Sequence, residues 1–530
     1  MPAGGFEAAL SGAFHLLRLA HAGFVLAREG VLALVDPAAL PPGPRLFVRL
    51  GRTIERQSAG SGAVRLAIAL TRLGPSYVKL GQFLATRPDI VGAAIARDLE
   101  TLQDRMPPFA QADAEATIAE GLGQPVAQAY TQFGPPIAAA SIAQVHRAEI
   151  KRSDGTTAVV AVKVLRPNIE HRFQRDLDSF FYVARLAERR SAEARRLRLV
   201  SVVETLARSV AMEMDLRLEA AAFSELADNT KDNPDFRVPA VDWERTAKRV
   251  LTIEWVDGIP LSDKKALLAA GHDPVRLARV LVQSFLRQAI GDGFFHADLH
   301  PGNLFIDGKG RLVAVDCGIM GRLGPKERKF LAEILFGFIT RDWRRTAEIH
   351  FEAGYVPTHH SIDDFAQAIR AIGEPIHDRP ADEISMAKLL TLLFEVTAIF
   401  DMRTRPELLL LQKTMVVAEG VARSLDPKLD MWSTAEPVVR EWIERHLGPI
   451  GRIEDVAHEL GGLGRLIGNA PALLSRAAGT MERFDEQTRD GLVLSPATVE
   501  AIGRAEARRW RWTAGALWVI AILIAIWMFR

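Results

Sequence analysis

Apolar positions recur at helical spacing through residues 46–130, and the runs break at Pro75, at Pro107–Pro108 and between Gly121 and Pro125. This is the pattern of amphipathic helices separated by residues that cannot continue them. Residues 1–40 read the same way, as one or two helices closed by the proline-rich stretch Pro37–Pro44. After Pro135–Pro136 the period shortens. Ser141–Ile150 and Ala158–Leu165 alternate or run apolar in short stretches on either side of Asp154-Gly155, which predicts a hairpin. A charged helical stretch follows from Asn168 to Asn229, then a strand-like run from Arg249 to Val256 that ends at Asp257-Gly258. Beyond Asp263 the pattern is helical, apart from β-like pieces at Leu304–Ile306 and Leu312–Val315.

The last apolar run differs in kind. Thr513–Phe529 carries no charge, at the lower end of the roughly 17–25 residues that cross a bilayer as a helix. Trp510, Trp512 and Trp527 suit the two interfaces. Arg504, Arg508, Arg509 and Arg511 precede the run, and Arg530 alone follows it. The expectation is one transmembrane helix over 513–529, with the body of the protein cytoplasmic; a buried or interfacial terminal helix is the plainer alternative. The N-terminus has no basic stretch before its first apolar run, and Arg18, Arg28 and Glu29 interrupt the residues after it. It reads as a helix and not as a signal peptide.

These elements divide the chain into an N-terminal helical extension (1–130), a β-containing lobe with inserted helices (131–258), a helical lobe (259–500) and the apolar tail (513–529). The arrangement is α+β, in the order of a two-lobed protein kinase with extra helices in front. Order alone does not establish chemistry. Composition narrows the choice. Hydrophobic residues make up 48% and charged residues 25%, as in globular proteins, and 66 Lys+Arg against 65 Asp+Glu give no reason to expect nucleic acid as a partner. A lone cysteine, Cys317, excludes an intrachain disulfide and fits a reducing compartment.

The candidate chemistry is concentrated in Phe295-His296-Ala297-Asp298-Leu299-His300-Pro301-Gly302-Asn303-Leu304-Phe305 and, beyond it, Val315-Asp316-Cys317-Gly318. Phosphoryl transfer needs oxygen ligands for Mg²⁺ and a carboxylate near the attacking group. Protein kinases meet the need with an Asp, an Asn five residues on and a later Asp-x-Gly. Here Asp298 is the candidate catalytic carboxylate, and Asn303 and Asp316 are the candidate metal ligands; the bland alternative is a turn that is polar by chance. Val160-Ala161-Val162-Lys163 matches the kinase strand whose lysine holds the α- and β-phosphates. His300 is expected to order the loop rather than bind metal, because Mg²⁺ prefers oxygen. His296 reads as structural, and Cys317 as a small buried residue.

Where a kinase has a glycine-rich loop, this chain has Ala138-Ala139-Ala140-Ser141. Alanine lacks glycine's freedom at positive φ, so a phosphate-covering loop of this kind is restricted and points away from ordinary protein kinases. The helical stretch offers Glu213, Asp215 and Glu219. Residues two apart do not share a helix face, so Glu213 and Asp215 are expected to have separate partners. One helical acid should neutralise Lys163; the pattern leaves open which, and a solvated charged face is the alternative. Tyr77-Val78-Lys79-Leu80-Gly81-Gln82 reads only as a polar interruption in a helix.

Together these segments resemble the UbiB family of atypical kinases over about residues 40 to 430. Lys79-Leu80-Gly81-Gln82 matches the family's Lys-x-Gly-Gln signature, Ala138–Ser141 its alanine-rich loop, Glu213-Met214-Asp215 its Glu-x-Asp motif, and Glu254-Trp255-Val256-Asp257-Gly258 its hinge. The resemblance implies an atypical protein-kinase-like two-lobed fold with an N-terminal helical extension and a C-terminal transmembrane helix. It implies ATP and Mg²⁺ as cofactors. Ala138, Ala139, Ala140, Ser141, Lys163, Glu219, Glu254 and Val256 would serve nucleotide binding, with Lys163 paired to Glu219. Asp298, Lys163 and Lys79 would be catalytic, with Asn303 and Asp316 on Mg²⁺. Lys79 and Gln82 would fold over the active site, Lys79 reaching Glu213 and Asp215, and so exclude a protein substrate. The implied setting is ubiquinone biosynthesis at the cell inner membrane. Polyprenyl phenol or quinone precursors, membrane lipids and other enzymes of that pathway would be the partners.

Three functions are in contention on these residues. The first is a Mg²⁺-dependent ATPase or small-molecule kinase. The second is a non-catalytic scaffold for the ubiquinone enzymes, switched by nucleotide. Direct ring hydroxylation is the third, and it lacks both a flavin-type Gly-x-Gly-x-x-Gly after a strand and a 2-His-1-carboxylate spacing. Leu389–Phe400 and Leu408–Val417 suit either polyprenyl binding or ordinary core.

Overall fold

The structure, a computed structural model, describes residues 18–34, 48–49, 51–55, 62–85, 87–100, 102, 106–377, 396, 399–402 and 406–447 of the chain. It divides into two units, Met1–Ile443 and Glu444–Arg530; of the second, only residues 444–447 are described.

The amphipathic pattern before residue 130 forms short helices. α1 (Gly62–Leu73), α2 (Pro75–Ala85) and α3 (Ala93–Glu100) share a core of Leu66, Leu70, Val78, Leu99 and Leu102. Gly74, at φ 106°, turns the chain between α1 and α2, a conformation that glycine adopts freely. Gly81 lets α2 lie close to its neighbours: a Cβ there would stand 2.7 Å from Leu70 Cδ1 and 2.9 Å from Leu102 Cδ2.

α4 (Gln111–Leu122) packs on a four-stranded antiparallel sheet. The sheet comprises β1 (Gln132–Ala139), β2 (Ala143–Lys151), β3 (Thr157–Leu165) and β5 (Val250–Glu254), in the order β1-β2-β3-β5. The β-branched residues of β3 suit a buried pleat, and Val160, Val162, Val164 and Val250 close over Ala114 and Ile118 of α4. Truncating Ile118 to alanine would cost about 2–5 kcal/mol. The hydrophobic pattern does not predict β1, because Pro135–Pro136 looks like a break. Proline cannot donate to a ladder, so β1 sits at the sheet edge and its register shifts on both sides of Pro136.

The charged stretch after β3 is three main helices, α5 (Ile169–Arg190), α6 (Leu199–Glu213) and α7 (Leu216–Thr230). Arg198, at φ 51°, opens α6, and the Asp215 carboxylate caps α7 through the Arg217 N–H. The second lobe holds a small sheet of β4 (Phe236–Arg237), β6 (Gly258–Pro260), β8 (Leu304–Asp307) and β9 (Leu312–Ala314), in the order β4-β9-β8-β6. β7 (Phe294–His296) pairs separately with β10 (Met320–Arg322). Gly321 faces Phe295 there, and a Cβ at Gly321 would meet the ring at 2.1 Å. α8 (Pro274–Leu286) leads into a π-helical turn, Arg287–Asp292, just before β7. The rest of the lobe is α9 (Pro325–Thr340), α10 (Trp343–Glu352), α11 (Ile362–His377), α12 (Pro406–Leu425) and α13 (Met431–Leu447).

One expectation is corrected. The fold class was to include a C-terminal transmembrane helix, and the inner-membrane, single-pass placement with a cytoplasmic body rested on it. Among the described residues no helix is long and apolar enough to cross a membrane. The two longest carry charges throughout, Glu170, Arg172, Arg175 and Asp176 in α5 and Glu407, Lys413, Glu419 and Arg423 in α12. Thr513–Phe529 lies outside the described residues. Most of Leu389–Phe400 does too, whereas Leu411, Thr414 and Ala418 of α12 are buried in the helical lobe.

Candidate active site

Lys163 ends the apolar face of β3 and points away from the sheet core. Its Nζ bonds both Glu219 oxygens, at 2.8 and 3.0 Å, and Asp316 Oδ2 at 3.1 Å. The first-turn acid of α7 is therefore the helical carboxylate that the strand lysine takes, and the pair draws in the Asp-x-Gly aspartate from beyond β9. Burial works against the Lys163 charge, but the two carboxylates outweigh it and hold the ammonium well above its ordinary pKa. Burial likewise pushes Asp316 up. The Lys163 charge and the Gly318 N–H, 2.9 Å from Asp316 Oδ1, prevail and bring it to about 2. Glu219 is raised to about 7, first by burial and then by the Asp316 charge, against the pull of Lys163. One cation between two carboxylates leaves the second carboxylate poorly compensated.

The catalytic loop is organised around His296, which is fully buried. The Asp298 N–H donates to His296 Nδ1 at 3.1 Å, so the ring carries its proton on Nε2, which donates to the Asp316 carbonyl at 2.5 Å. Burial lowers the pKa of this ring and keeps it neutral. One imidazole thus fixes the backbone at both Asp298 and Asp316. Asn303 Nδ2 donates to Asp298 Oδ2 at 2.9 Å, which leaves Asn303 Oδ1 free to act as an acceptor. The Val315 N–H donates to the Asn303 carbonyl at 2.9 Å and brings the two metal-ligand candidates onto adjoining backbone. His300 Nδ1 accepts the Gly302 N–H at 3.1 Å, so it orders the loop as expected. The donor set fits Mg²⁺, which takes carboxylate and amide oxygens. Cys317 is buried, and burial pushes its thiol pKa up.

The alanine loop is the tip of the β1–β2 hairpin. Ala138 is exposed, Ala139 and Ala140 are half-buried and Ser141 is buried, and none of the four takes a positive φ. The Ala140 N–H donates to the Ala143 carbonyl at 2.8 Å, which closes the turn. Arg166, just past β3, donates to the Ala140 carbonyl from Nε at 3.1 Å and Nη2 at 2.8 Å, and from Nη2 to the Pro107 carbonyl. Glu254 and Val256 lie where β5 passes into β6, the connector between the two lobes' sheets. The Glu254 carboxylate accepts from Arg237 at 3.0 and 3.2 Å.

Lys79 on α2 pairs with Glu213, the last residue of α6, at 2.6 Å. Asp215 is held by Arg217, at 2.7 and 2.9 Å. The two acids have separate partners, Asp215 taking Arg217 where the resemblance implied Lys79; they do not share a helix, because Glu213 closes α6 and Asp215 caps α7. Gln82 lies one turn on from Lys79 and is half-buried. Lys79 is thereby tied to the end of α6, separated by two residues from the helix whose Glu219 holds Lys163.

Several supporting residues carry no signal in the sequence. Gln288, buried in the π-helical turn, accepts the His296 N–H at 3.0 Å. The Thr414 hydroxyl of α12 shares its proton between the Leu410 carbonyl at 2.8 Å and the Ala297 carbonyl at 3.2 Å. Arg166 could have been found only by knowing what the hairpin tip touches.

Comparison with known proteins gives a consistent result. Residues 101–350 match the ABC1 atypical kinase-like domain, and residues 369–430 match the UbiB helical domain. A protein of Marinobacter nauticus named "Probable protein kinase UbiB" is 39% identical over 451 residues, which cover 84% of this chain and 82% of that protein. One of the same name from Azotobacter vinelandii is 41% identical over 410 residues, 76% of each. Among solved structures, the Rv3197–erythromycin complex from Mycobacterium tuberculosis covers 75% of this chain and 98% of that one at 22% identity, with a TM-score of 0.48. That likeness is too loose to bear on the function of this chain.

Proposed function

The chain belongs to the UbiB family of atypical kinases, and we propose that it is a Mg²⁺- and ATP-dependent phosphotransferase or ATPase serving ubiquinone biosynthesis. Its targets are small lipidic molecules, polyprenyl phenol or quinone precursors, and not proteins. The observation that carries this reading is the bonding of Lys163 to both Glu219 and Asp316. An intact lysine–glutamate pair is what a phosphate-binding kinase site requires.

In this reading Lys163 turns from Asp316 to the α- and β-phosphates while Glu219 keeps it in place. Asn303 Oδ1 and the Asp316 carboxylate would hold Mg²⁺, which when bound neutralises charge on the β- and γ-phosphate oxygens. Asp298, oriented by Asn303 and by the His296-anchored backbone, accepts the proton of the attacking hydroxyl, from a phenol or from water. The γ-phosphoryl group passes to that oxygen and ADP leaves. Two features support a small acceptor. The eight residues between Asp316 and Pro325 include β10, and α9 begins at once, so no long activation segment offers a peptide platform. Lys79 and Gln82 on α2 would close the site, with Lys79 braced on Glu213.

The test is phosphate release from ATP and Mg²⁺, with and without a phenolic quinone precursor, beside Asp316→Asn. Release stimulated by precursor and lost in the variant is the expected result. Nucleotide binding without release above the variant would favour the second reading, a nucleotide-switched scaffold for the ubiquinone enzymes. The pinned alanine loop is the observation that favours it.

A further inference from the structure

The loop between α10 and α11 carries two adjacent histidines that the reaction does not use. A turn closes there, with the His360 N–H on the Pro357 carbonyl at 3.2 Å, and it brings the rings of His359 and His360 within 4.1 Å of each other. Their common neighbour is Asp401. It follows Phe400, which is buried in the helical-lobe core and meets Phe365 edge-on at 4.9 Å and the tilted His360 ring at 5.2 Å between centroids. Asp401 holds a left-handed backbone at φ 48°. Packing of Phe400 thus places the backbone at Asp401, and the turn places the backbone at the two histidines.

The three ligand-type atoms converge without bonding one another. His359 Nε2 is 3.8 Å and His360 Nε2 is 3.5 Å from the same oxygen, Asp401 Oδ2. Both separations exceed the roughly 2.7–3.2 Å of an N–H···O hydrogen bond. His360 Nε2 is buried and has no hydrogen-bond partner. Two ligands each about 2.0–2.1 Å from a tetrahedral ion stand about 3.3–3.4 Å apart; the separations from Asp401 Oδ2 are slightly longer, at 3.5 and 3.8 Å, and all three ligand atoms lie within 4.8 Å of one another.

We propose that His359, His360 and Asp401 bind a divalent transition-metal ion, with Zn²⁺ the best match. Two imidazole nitrogens and one carboxylate oxygen suit Zn²⁺, whereas Mg²⁺ and Ca²⁺ take all-oxygen sets. His359 and Asp401 are 66% and 70% exposed, so the ion is reachable from solvent and water completes its coordination. The ion would staple the α10–α11 loop to the segment ahead of α12. α12 in turn bonds the catalytic-loop backbone through Thr414. The site is separate from the one that would take Mg²⁺ with ATP.

The experiment is equilibrium dialysis of the untagged full chain against Zn²⁺ in excess Mg²⁺, followed by X-ray absorption at the zinc edge. One equivalent of Zn²⁺ with two imidazole ligands is expected in the wild type and in Asp316→Asn. It should be lost in His359→Ala and in Asp401→Asn, whose exposed side chains leave the fold intact. Zn²⁺ should raise the thermal midpoint of the wild type and of Asp316→Asn only. No stoichiometric Zn²⁺, or binding that survives His359→Ala and Asp401→Asn, overturns the site.

Discussion

The catalytic loop and the alanine hairpin are each built around one buried neutral histidine, and the two rings are opposite tautomers. His296 carries its proton on Nε2, because the Asp298 N–H occupies Nδ1. His146 carries its proton on Nδ1, which donates to the Gly134 carbonyl at 2.8 Å, while Nε2 accepts from the Gln144 amide at 2.9 Å. The Gln144 orientation is fixed, because its Oε1 takes the Phe109 N–H at 3.0 Å. The consequence differs between the two loops. His296 bonds the backbone of both candidate aspartates, Asp298 and Asp316, so the geometry of that loop is set from within. His146 holds only the stem of the hairpin, and the tip is held from outside by Arg166. Reaction and nucleotide cover therefore rest on separate supports and should be separable by mutation.

The largest effect is expected at Asp298. Asp298→Asn keeps the shape and the Asn303 contact but removes the proton acceptor. General-base removal typically costs about 10²–10⁴ in rate. Turnover should fall by that much with nucleotide affinity unchanged, as read by steady-state phosphate release and nucleotide titration. An equal loss of affinity would mean that Asp298 shapes the binding site, and the two loops would not be separable.

Arg166→Met reverses the pattern with a smaller effect. The methionine keeps much of the stem but strips the Ala140 carbonyl of two donors and the Pro107 carbonyl of one. The Pro107 bond is exposed and costs little to lose, whereas the unmade bonds to the partly buried Ala140 carbonyl cost about 1–3 kcal/mol. Denaturant unfolding should show that loss. Nucleotide affinity should weaken while the rate at saturation holds, the opposite of Asp298→Asn. A fall in saturated rate with affinity intact would show that the hairpin tip serves chemistry and not cover.

The same contrast explains what could be read from the sequence. Asp298, Asn303 and Asp316 declare themselves, because a loop organised by its own side chains keeps them at fixed spacing. The strand lysine is equally plain, since Lys163 is the single charge in the apolar run of β3. The resemblance, and not the pattern, named Glu219 among three helical acids: a partner 56 residues away has no local signature. β1 was hidden because an edge strand tolerates Pro135–Pro136, which locally reads as a break. Arg166, Gln288 and Thr414 were illegible for one reason. Each serves a backbone carbonyl or amide, and a backbone group leaves no mark in the sequence. The transmembrane expectation rested on the apolar run, its flanking tryptophans and arginines and the family resemblance, and no helix among the described residues supports it.

The smallest effect is a pH dependence seated in the hairpin stem. Burial lowers the His146 pKa, opposed by the Gly134 carbonyl and by Glu115, from an ordinary value of 6.5. The folded state thus favours the neutral ring. The stability it contributes is complete above about pH 6.5 and is lost as pH falls through the lowered folded value. Protonating Nε2 would set it against the Gln144 amide, donor against donor, while the Phe109 N–H prevents that amide from turning round. His146→Gln keeps a donor and an acceptor but cannot titrate. Denaturation free energies of the two proteins should run parallel above about pH 7 and diverge below 6.5, with the wild type losing more, by at most about 1.4 kcal/mol per pH unit. His296 and His350, also lowered by burial, act in both proteins and cancel in the difference. Parallel curves down to pH 5 would mean that the hairpin histidine is not held neutral by the fold, and the opposition of tautomers would no longer distinguish the two loops.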